Sequence, residues 1–322
     1  IAKVRNEAEV FSTIFHEFKP GKADMDIKAG YLMGSNVYGF KLVSWFNENP
    51  KKGLPALIGL MMVLEGDTGK PLGLLDASFI TSIRTGAAGS IGIKYLARKD
   101  SKNILIVGSG NQAVFQLAAS LSVLDNVQKV SVYNPLFPDE ATEFVKSIKD
   151  TFMNNFLVKF DKDSIYYDKI KKRYDVQFEV VKNIEETTKE ADIIITATPS
   201  RIPMIKKEWI NHGTHINCIG ADMEGKQEID ENIFGIARVF VDDINQSVAV
   251  GETETAIKKG VIDKKDIVGE IGDVIEGNVR GRLSYEDITL FDTSGLAIQD
   301  LITAKYALKA AEEKGLGAEV EI

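Results

Sequence analysis

Short apolar runs alternate with polar segments of helical length through the middle of this chain. The runs that predict strands are ILIV at 104–107, VQKVSVYNP at 127–135, DIIITATP at 192–199, THINCIGAD at 214–222 and ARVFVDD at 237–243. Strands separated by helices pair in parallel, because each crossover helix covers one face of the sheet. The pattern therefore predicts an α/β fold with a doubly wound parallel sheet, whose ligands gather at the carboxyl ends of the strands.

The pattern differs on either side of this region. EVFSTIFHEF (9–18), ADMDIKAGYLM (23–33) and VYGFKLVSWF (37–46) alternate or run apolar, as strands of a second sheet do, and residues 78–97 have helical character. The last periodic segment, at 295–315, has apolar residues at helical spacing. We expect this helix to pack on the amino-terminal sheet, so that one discontinuous domain, 1–95 with 296–322, encloses a second domain, 96–295.

The segment 138–173 is rich in lysine and aspartate. It contains FVKSIKDTF and YYDKIKKRY, which are typical of amphipathic helices or of an exposed insertion. We expect its charged residues to form a face in contact with solvent.

A glycine-rich turn directly follows the first strand of the parallel sheet. In VGSGNQA, Gly108 permits a tight turn, Gly110 lets the backbone approach a pyrophosphate, and Ala113 lets the next helix pack closely on the sheet. Phosphates would then lie at a helix amino terminus, where N–H groups and the macrodipole favour anions. The order of strand, turn and helix predicts a Rossmann-type nicotinamide dinucleotide site in domain 96–295; an ordinary strand-to-helix turn is the alternative.

Asn134 follows the second parallel strand, where an NAD enzyme usually carries an acid that holds the ribose hydroxyls. An amide also binds a ribose and does not repel a 2′-phosphate, yet no arginine follows to attract one. We therefore expect NAD as the cofactor, with NADP as the alternative.

Composition excludes several classes of protein. The 322 residues carry a net charge of −8, with 39 basic residues scattered among 47 acidic ones, so we expect no nucleic-acid or membrane partner. The single cysteine, Cys218, excludes an internal disulfide, and with 3 histidines we expect no metal site. The longest apolar stretch is too short for a membrane span, and no signal-peptide core is present near Ile1. These features predict a cytoplasmic enzyme.

Certain charged residues lie in small or apolar surroundings, namely Lys28, Lys41, Arg84 and Asp222. Lys41 can point to solvent by strand alternation, Arg84 can pair with Asp76, and Asp222 can form an Asx turn after a strand. The functional alternative is that Arg84, whose neighbours are Thr, Gly and Ala, contacts a ligand, and that Asp222 lies at a strand end where this architecture places functional residues.

Separate segments along the chain resemble the ornithine cyclodeaminase/mu-crystallin family, which includes archaeal-type alanine dehydrogenases. They are VYGFKLVSWFNENPKKGLP, TGKPLGLLDASFITSIRTGAAGSIGIKYLA, VGSGNQA, TPSRIPMIKKEWINHGTHINCIGADMEGKQEID and ITLFDTSGLAIQD. The resemblance covers nearly the whole chain from about Gly30 onward. It implies a homodimer in which a Rossmann domain is inserted into a discontinuous α/β domain for substrate binding and dimerisation.

The resemblance also implies roles for individual residues. Lys41 and Arg84 match positions that hold the substrate carboxylate, Lys28 matches a basic position of the alanine dehydrogenase branch, and Asp222 matches the catalytic carboxylate, with Lys41 as a second catalytic residue. The residues implied near the cofactor are Arg84, Thr85, Gly108, Gly110, Asn111, Gln112, Asn134, Thr196, Ala197, Thr198, Lys226 and Ser294.

The function that this resemblance implies is NAD(P)-dependent deamination at the Cα–N bond of a small L-amino acid. Removal of a hydride from Cα gives an imine, and Asp222 would handle protons on the amine or on attacking water. We expect ornithine cyclodeamination to proline narrowly ahead of alanine dehydrogenation. A ketimine reductase and a mu-crystallin-like NADP-binding protein without catalysis are the further alternatives.

Overall fold

A computed structural model describes residues 1–321 and divides the chain into two compact units. The first unit contains residues 1–84 and the residues from 295 onward, and the second contains residues 85–294. The strands are β1 (Ala8–Val10), β2 (Ile14–Lys19), β3 (Ala23–Leu32), β4 (Val37–Phe46), β5 (Leu57–Glu65), β6 (Pro71–Asp76), β7 (Asn103–Val107), β8 (Lys129–Tyr133), β9 (Gln177–Val180), β10 (Ile193–Thr196), β11 (His215–Cys218), β12 (Arg238–Val241), β13 (Gly269–Glu270) and β14 (Thr289–Asp292). The α-helices are α1 (Ala77–Leu96), α2 (Asn111–Val123), α3 (Pro138–Thr151), α4 (Ile165–Tyr174), α5 (Ile184–Glu190), α6 (Ile244–Ser247), α7 (Glu252–Lys258), α8 (Ile271–Glu276) and α9 (Ala297–Glu313).

The first unit is built on a six-stranded antiparallel sheet with the strand order β1-β3-β4-β5-β6, in which β2 pairs with β3. Alternate residues of β4 and β5 face inward, and Val43, Met61 and Val63 are buried against Leu301 and Ala304 of α9. Each fully buried side chain of this kind contributes about 1.5–3 kcal/mol to stability. The last helix of the chain thus completes the core of the amino-terminal sheet.

Two glycines let α9 approach this sheet closely. Gly30 of β3 and Gly39 of β4 are direct cross-strand partners. A Cβ on Gly39 would lie 2.1 Å from the Met62 carbonyl oxygen and 3.2 Å from Leu301 Cδ2, and a Cβ on Gly30 would lie 3.3 Å from Ile298 Cγ2. The bare backbone at this point leaves room for the first turns of the helix.

The second unit is built on an eight-stranded parallel sheet with the order β13-β12-β14-β11-β10-β7-β8-β9. The chain runs outward from β7 through β8 and β9 and then returns to β10 on the other side of β7, which creates a switch point between β7 and β10. Val107, Thr196, Cys218 and Asp292 pair in register, so the carboxyl ends of the four central strands are level. The predicted fold class, a doubly wound parallel sheet inserted in a discontinuous domain, is confirmed.

The segment 138–173 contributes to the core of the second unit. Phe144 and Ile148 of α3 and Ile170 and Tyr174 of α4 are buried in the cluster that covers one face of the parallel sheet. The prediction of amphipathic helices is correct and the alternative of an exposed insertion is wrong, because apolar residues at i and i+4 give each helix a buried stripe. Within residues 1–321, no helix combines the length and the apolar character that a bilayer crossing requires.

We expect Gly39→Ala to lower the free energy of unfolding by about 1–3 kcal/mol, because its Cβ would overlap backbone in a packed core. Gly34→Ala is the matched control, since a Cβ there makes only ordinary contact, no closer than 3.4 Å to Glu7 Oε2. Urea denaturation of both variants measures the difference. Equal midpoints for the two variants would show that this part of the sheet accommodates a side chain at position 39.

Candidate active site

Lys28 and Lys41 are direct cross-strand partners on the inner face of the antiparallel sheet. Their exposed fractions are 6% and 1%. Val37, Gly39 and Val43 are buried on the same face as Lys41, so strand alternation places this lysine inside, and the alternative that it points to solvent is wrong. Like charges directly opposite one another destabilise a sheet unless an anion compensates them.

The compensating anion is Asp300, in the first turn of α9. Its buried carboxylate lies 3.3 Å from Lys41 Nζ, and Arg84 Nε donates to Oδ1 at 3.1 Å. Arg84 therefore pairs with Asp300 and not with Asp76, the alternative partner, whose carboxylate accepts a hydrogen bond from the Ser78 amide. Sequence reasoning did not identify Asp300.

Backbone and side-chain oxygens near the start of α9 accept further hydrogen bonds from these cations. Lys28 Nζ donates to the Gly295 carbonyl at 3.1 Å, and an Arg84 NH group donates to Gln299 Oε1 at 3.2 Å. The structure thus brings Lys28, Lys41 and Arg84 together around the amino-terminal end of one helix. We call this group, with Asp300, the cation cluster.

The cation cluster has more positive than negative charge. Burial lowers the pKa of Lys41 to about 8; Asp300 opposes this shift, Arg84 and Lys28 add to it, and Asp26 makes a smaller contribution that raises the pKa. Burial by itself would raise the pKa of Asp300, but the neighbouring cations hold it below its ordinary value. Asp300 and Asp26 together carry less charge than the basic side chains around them. A carboxylate supplied by a ligand would therefore be bound favourably.

The glycine turn of the second unit has the features that a pyrophosphate requires. Gly108 has a φ of 112°, in the region that favours glycine, and a Cβ on it would lie 2.6 Å from the Ala197 carbonyl oxygen. Gly110 forms the N-cap of α2 without a side-chain hydrogen bond, and a Cβ built on it meets nothing within 4 Å. Bare backbone facing open space at a helix amino terminus fits a dinucleotide. Asn111 and Gln112 begin that helix, and the turn follows β7 at the switch point.

Asn134 holds the glycine turn from the neighbouring strand. Its Nδ2 donates to Ser109 Oγ at 2.9 Å, and its Oδ1 accepts from the Phe137 amide at 3.1 Å. Asn134 thus fixes the glycine turn from the loop that follows β8.

The carboxyl ends of β12 and β14 form a second polar group. Asp242 accepts from Thr293 Oγ1 at 2.8 Å and from Ser294 Oγ at 3.0 Å, and Gln246 Nε2 donates to Ser294 Oγ at 2.9 Å. The Thr85 carbonyl accepts from Gln116 Nε2 of α2 at 2.8 Å. Thr85 and Ser294 are the first and last residues of the second unit.

Asp222 lies in the loop that follows β11, and its side chain is about half exposed, at 48%. Lys226 Nζ donates to Asp222 Oδ1 at 2.5 Å. The two residues belong to one short loop, 219–227, that starts at the carboxyl end of the strand. A partly exposed carboxylate with a lysine beside it is suited to exchange protons with a ligand.

Sequence reasoning missed a group of buried acids below this loop, Glu228, Glu252 and Asp292. Glu228 Oε1 accepts from the Thr198 amide at 2.6 Å and from Thr198 Oγ1 at 2.7 Å, and its Oε2 accepts from the Gly220 amide at 2.9 Å. Of these acids, only Asp292 could have been identified from the sequence, because it lies at the end of a strand. The segment around Glu228 has no periodicity and gives no such signal.

Burial raises the pKa values of these acids. It raises the pKa of Glu228 to about 7 and that of Asp292 to about 7, in each case against hydrogen bonds that lower it. The pKa of Glu252 is raised well above its ordinary value by burial and then by the charges of Glu228 and Asp292. In the described part of the chain, no group of three His, Cys, Asp or Glu side chains is arranged to hold a metal ion.

The whole chain is similar to known proteins. The sequence model of the ornithine cyclodeaminase/mu-crystallin family matches residues 5–159 and 161–315. The alanine dehydrogenase of Archaeoglobus fulgidus is 39% identical over 315 residues, which are 98% of this chain and 88% of that protein. The chain belongs to the ornithine cyclodeaminase/mu-crystallin family.

Two solved structures of this family extend the similarity to three dimensions. An archaeal alanine dehydrogenase dimer with bound NAD has a TM-score of 0.86 and 38% identity, over 100% of this chain and 91% of that one. The Δ1-pyrroline-2-carboxylate reductase of Thermococcus litoralis, in complex with NADH and L-proline, has a TM-score of 0.85 and 33% identity, over 99% and 91%. The resemblance drawn from the sequence segments is confirmed, and with it the expectation of an NAD-dependent enzyme.

We expect Gly110→Ala to lower the affinity of this protein for NADH by at least about tenfold. The added methyl group would occupy the space beside the amino terminus of α2 where a pyrophosphate fits. Stability should not fall, since a Cβ on Gly110 contacts nothing and replacing glycine lowers the entropy of the unfolded chain. Fluorescence titration with NADH and thermal unfolding give the two measurements. Gly235→Ala, whose Cβ makes only ordinary contacts of 3.5 Å or more, is the control. Unchanged NADH affinity in Gly110→Ala would contradict the assignment of this turn.

Proposed function

We propose that the protein is an NAD-dependent oxidoreductase that acts at the Cα–N bond of a small L-amino acid with one carboxylate and an uncharged side chain, as in alanine dehydrogenation. The observation that carries the proposal is the cation cluster, in which Lys28, Lys41 and Arg84 are buried around one aspartate. A substrate carboxylate balances the remaining positive charge. The first unit would then bind the substrate, and the second would bind the dinucleotide.

The residues of the cation cluster orient the substrate. Arg84 supplies a planar guanidinium, held by Asp300 and Gln299, and Lys41 and Lys28 supply point charges beside it. A carboxylate fixed by several donors leaves Cα in a defined position, which lowers the entropic part of the barrier. Because its pKa is about 8, Lys41 can also exchange a proton near neutral pH.

A dinucleotide held at the glycine turn would supply the hydride acceptor for the substrate Cα as NAD, and the hydride donor in the reverse direction as NADH. Asp222 is the residue that takes or returns the proton of the amine or of water, and Lys226 at 2.5 Å stabilises its charged form. The open backbone at Gly110 and the turn at Gly108 would hold the pyrophosphate. Asn134 would bind the adenosine ribose.

Sequence similarity favours alanine over a diamino acid. The alanine dehydrogenase of Archaeoglobus fulgidus is 39% identical to this chain over 98% of its length. We therefore rank alanine-type oxidation ahead of ornithine cyclodeamination, which reverses the order that the sequence suggested. Reduction of a cyclic imino acid needs only the carboxylate contacts and is the second candidate; Δ1-pyrroline-2-carboxylate reductases of Bacillus cereus are about 31–33% identical to this chain.

Incubation of the purified protein with NAD and either L-alanine or L-ornithine separates the candidates. We expect alanine-dependent formation of NADH and, with NADH, ammonia and pyruvate, the reverse reaction. Conversion of ornithine to proline and ammonia without net NADH would instead establish the cyclodeaminase. Oxidation of NADH by Δ1-pyrroline-2-carboxylate, with alanine inert, would establish the imine reductase.

Asp222→Asn should reduce kcat by at least about 100-fold, because an amide cannot take up the proton. The affinity for NADH should stay within a factor of about three, since the glycine turn is unchanged. Steady-state kinetics and an NADH titration of the same preparation provide both numbers. A variant with wild-type kcat would remove Asp222 from the mechanism and would favour a protein that binds the dinucleotide without catalysis.

We also propose that the protein forms a homodimer through the outer face of the antiparallel sheet. Ile14, Ile27, Leu42 and Leu60 are successive cross-strand partners and form an apolar row on that face, opposite to the buried Lys41. Phe40, Met62 and Leu74 form the adjacent row, again in register across the sheet. An apolar surface of this kind is typical of a protein interface, and the archaeal alanine dehydrogenase structure is described as a dimer.

Leu60→Lys should convert the dimer to a monomer, because it places a charge in the middle of this apolar face. Leu60 is 51% exposed within one chain, so the fold itself should tolerate the change. Ile165→Lys, at an exposed apolar residue of the second unit, is the matched control. Sedimentation velocity measures the mass of each variant. If the Leu60→Lys protein remains a dimer, the interface lies on another surface of the protein.

A further inference from the structure

Glu228 has no role in the reaction proposed above, yet it connects two loops of the parallel sheet. It lies in the segment between β11 and β12 and is fully buried. One carboxylate oxygen accepts hydrogen bonds from both the amide and the hydroxyl of Thr198, which follows β10. The other oxygen accepts a hydrogen bond from the amide of Gly220, which follows β11. One side chain therefore binds both loops at the carboxyl edge of the sheet.

Tight packing supports the same connection. A Cβ on Gly220 would lie 2.2 Å from the Thr198 carbonyl oxygen and 2.6 Å from Glu228 Oε2, so no side chain fits between the two loops. The loop after β10 also packs on the glycine turn, where a Cβ on Gly108 would lie 2.6 Å from the Ala197 carbonyl oxygen. The glycine turn, residues 197–198 and Gly220 thus form a continuous series of backbone contacts.

We propose that Glu228 is a positioning residue that fixes the loop carrying Asp222 relative to the loop carrying Thr198. Asp222 lies two residues after Gly220, whose amide Glu228 holds. The inference rests on the proposed role of Asp222 as the proton-handling group. Glu228 acts through these two loops and has no contact with the substrate in this role.

The arrangement of donors requires the ionised form of Glu228. Three hydrogen atoms point at its two oxygens, and a protonated carboxyl would turn its own O–H group towards one of those donors. The charged group that faces Glu228 is Glu252 at the start of α7, which accepts a hydrogen bond from the Glu228 amide. The buried thiol of Cys218, at the end of β11, is the other titratable group that interacts with Glu228, and the charge of Asp292, at the end of β14, acts on Glu252 and on Cys218. Because the pKa of Glu228 is about 7, the connection should weaken as the pH falls through neutrality.

The test compares Glu228→Gln with Glu224→Gln, an exposed acid of the same loop whose partner is Lys258. Glutamine keeps the size of the side chain but can accept through one oxygen only, so at least one donor loses its partner. Hydrogen exchange followed by mass spectrometry should show faster exchange at residues 197–200 and 219–222 in Glu228→Gln alone. The kcat should fall by about 10- to 100-fold, the effect expected of a small misplacement of a reacting group.

The pH profile distinguishes positioning from a general loss of stability. In the wild type, kcat should decline below about pH 7, and this decline should be absent in Glu228→Gln. Thr198→Val keeps the carboxylate but removes one hydrogen bond that lowers its pKa, so the decline should shift to higher pH. The proposal would be overturned if Glu228→Gln and Thr198→Val both left the exchange rates, kcat and the pH profile unchanged. If one of the two variants fails to fold, the same result in the other variant overturns it.

Failure of this inference and failure of the proposed function give different results. If Asp222→Asn abolishes turnover while Glu228→Gln retains wild-type exchange and kcat, the reaction stands and the positioning role is wrong. If Asp222→Asn keeps its activity, the proposed mechanism is wrong, and so is the positioning role that rests on it, even where Glu228→Gln changes the exchange rates of both loops.

Discussion

Burial of Lys28 and Lys41 opposite one another is the constraint on which the first unit depends. Two ammonium groups on neighbouring strands repel each other, and burial increases the repulsion because little solvent screens it. Asp300 relieves part of this repulsion. It reaches the lysines because Gly30 and Gly39, which lie two residues from Lys28 and Lys41 on the same face of the sheet, let α9 come close. Removing one partner from such a buried group typically costs about 3–5 kcal/mol. In the function that we propose, the charge that Asp300 leaves unbalanced also binds the substrate carboxylate, so that stability and recognition would depend on the same atoms.

The arrangement of loops in the second unit depends on the alignment of the carboxyl ends of its parallel strands. Because Val107, Thr196, Cys218 and Asp292 are in register, the loops that follow them start from the same edge. The residues that we propose for dinucleotide binding are consequently close to the buried acids, without any insertion between them. The cost is the presence of several carboxylates in a region that water does not reach, which shows in the raised pKa values of Glu228 and Asp292.

The sequence predicts the fold class because strand and helix periodicities are local properties. The strand β7, the turn at Gly108 and the helix α2 are consecutive in sequence, so their order can be read directly. The face of the sheet on which the Lys41 side chain lies cannot be predicted in the same way. Both faces of β4 carry apolar residues, with Val43 inside and Phe40 outside, and alternation alone does not say which face is buried.

Contacts between distant segments account for most of what sequence reasoning missed. Arg84 and Asp300 are 216 positions apart, and no local pattern marks them as partners. Glu228 lies in an irregular loop, and its importance comes from the two other loops that it touches. The short edge strand β9 mixes polar and apolar residues and gives no clear period. Family resemblance suggested the roles that we propose for Lys28, Lys41 and Arg84, but it did not suggest the anion between them.

The place of α9 in the chain has a consequence for biosynthesis. A ribosome makes the six strands of the antiparallel sheet first, then the entire second unit, and only afterwards the helix that carries Asp300. Until that helix emerges from the exit tunnel, the sheet exposes its apolar inner face, and Lys28 and Lys41 lack the carboxylate of Asp300. The nascent first unit is therefore at risk of aggregation until the last helix has been made.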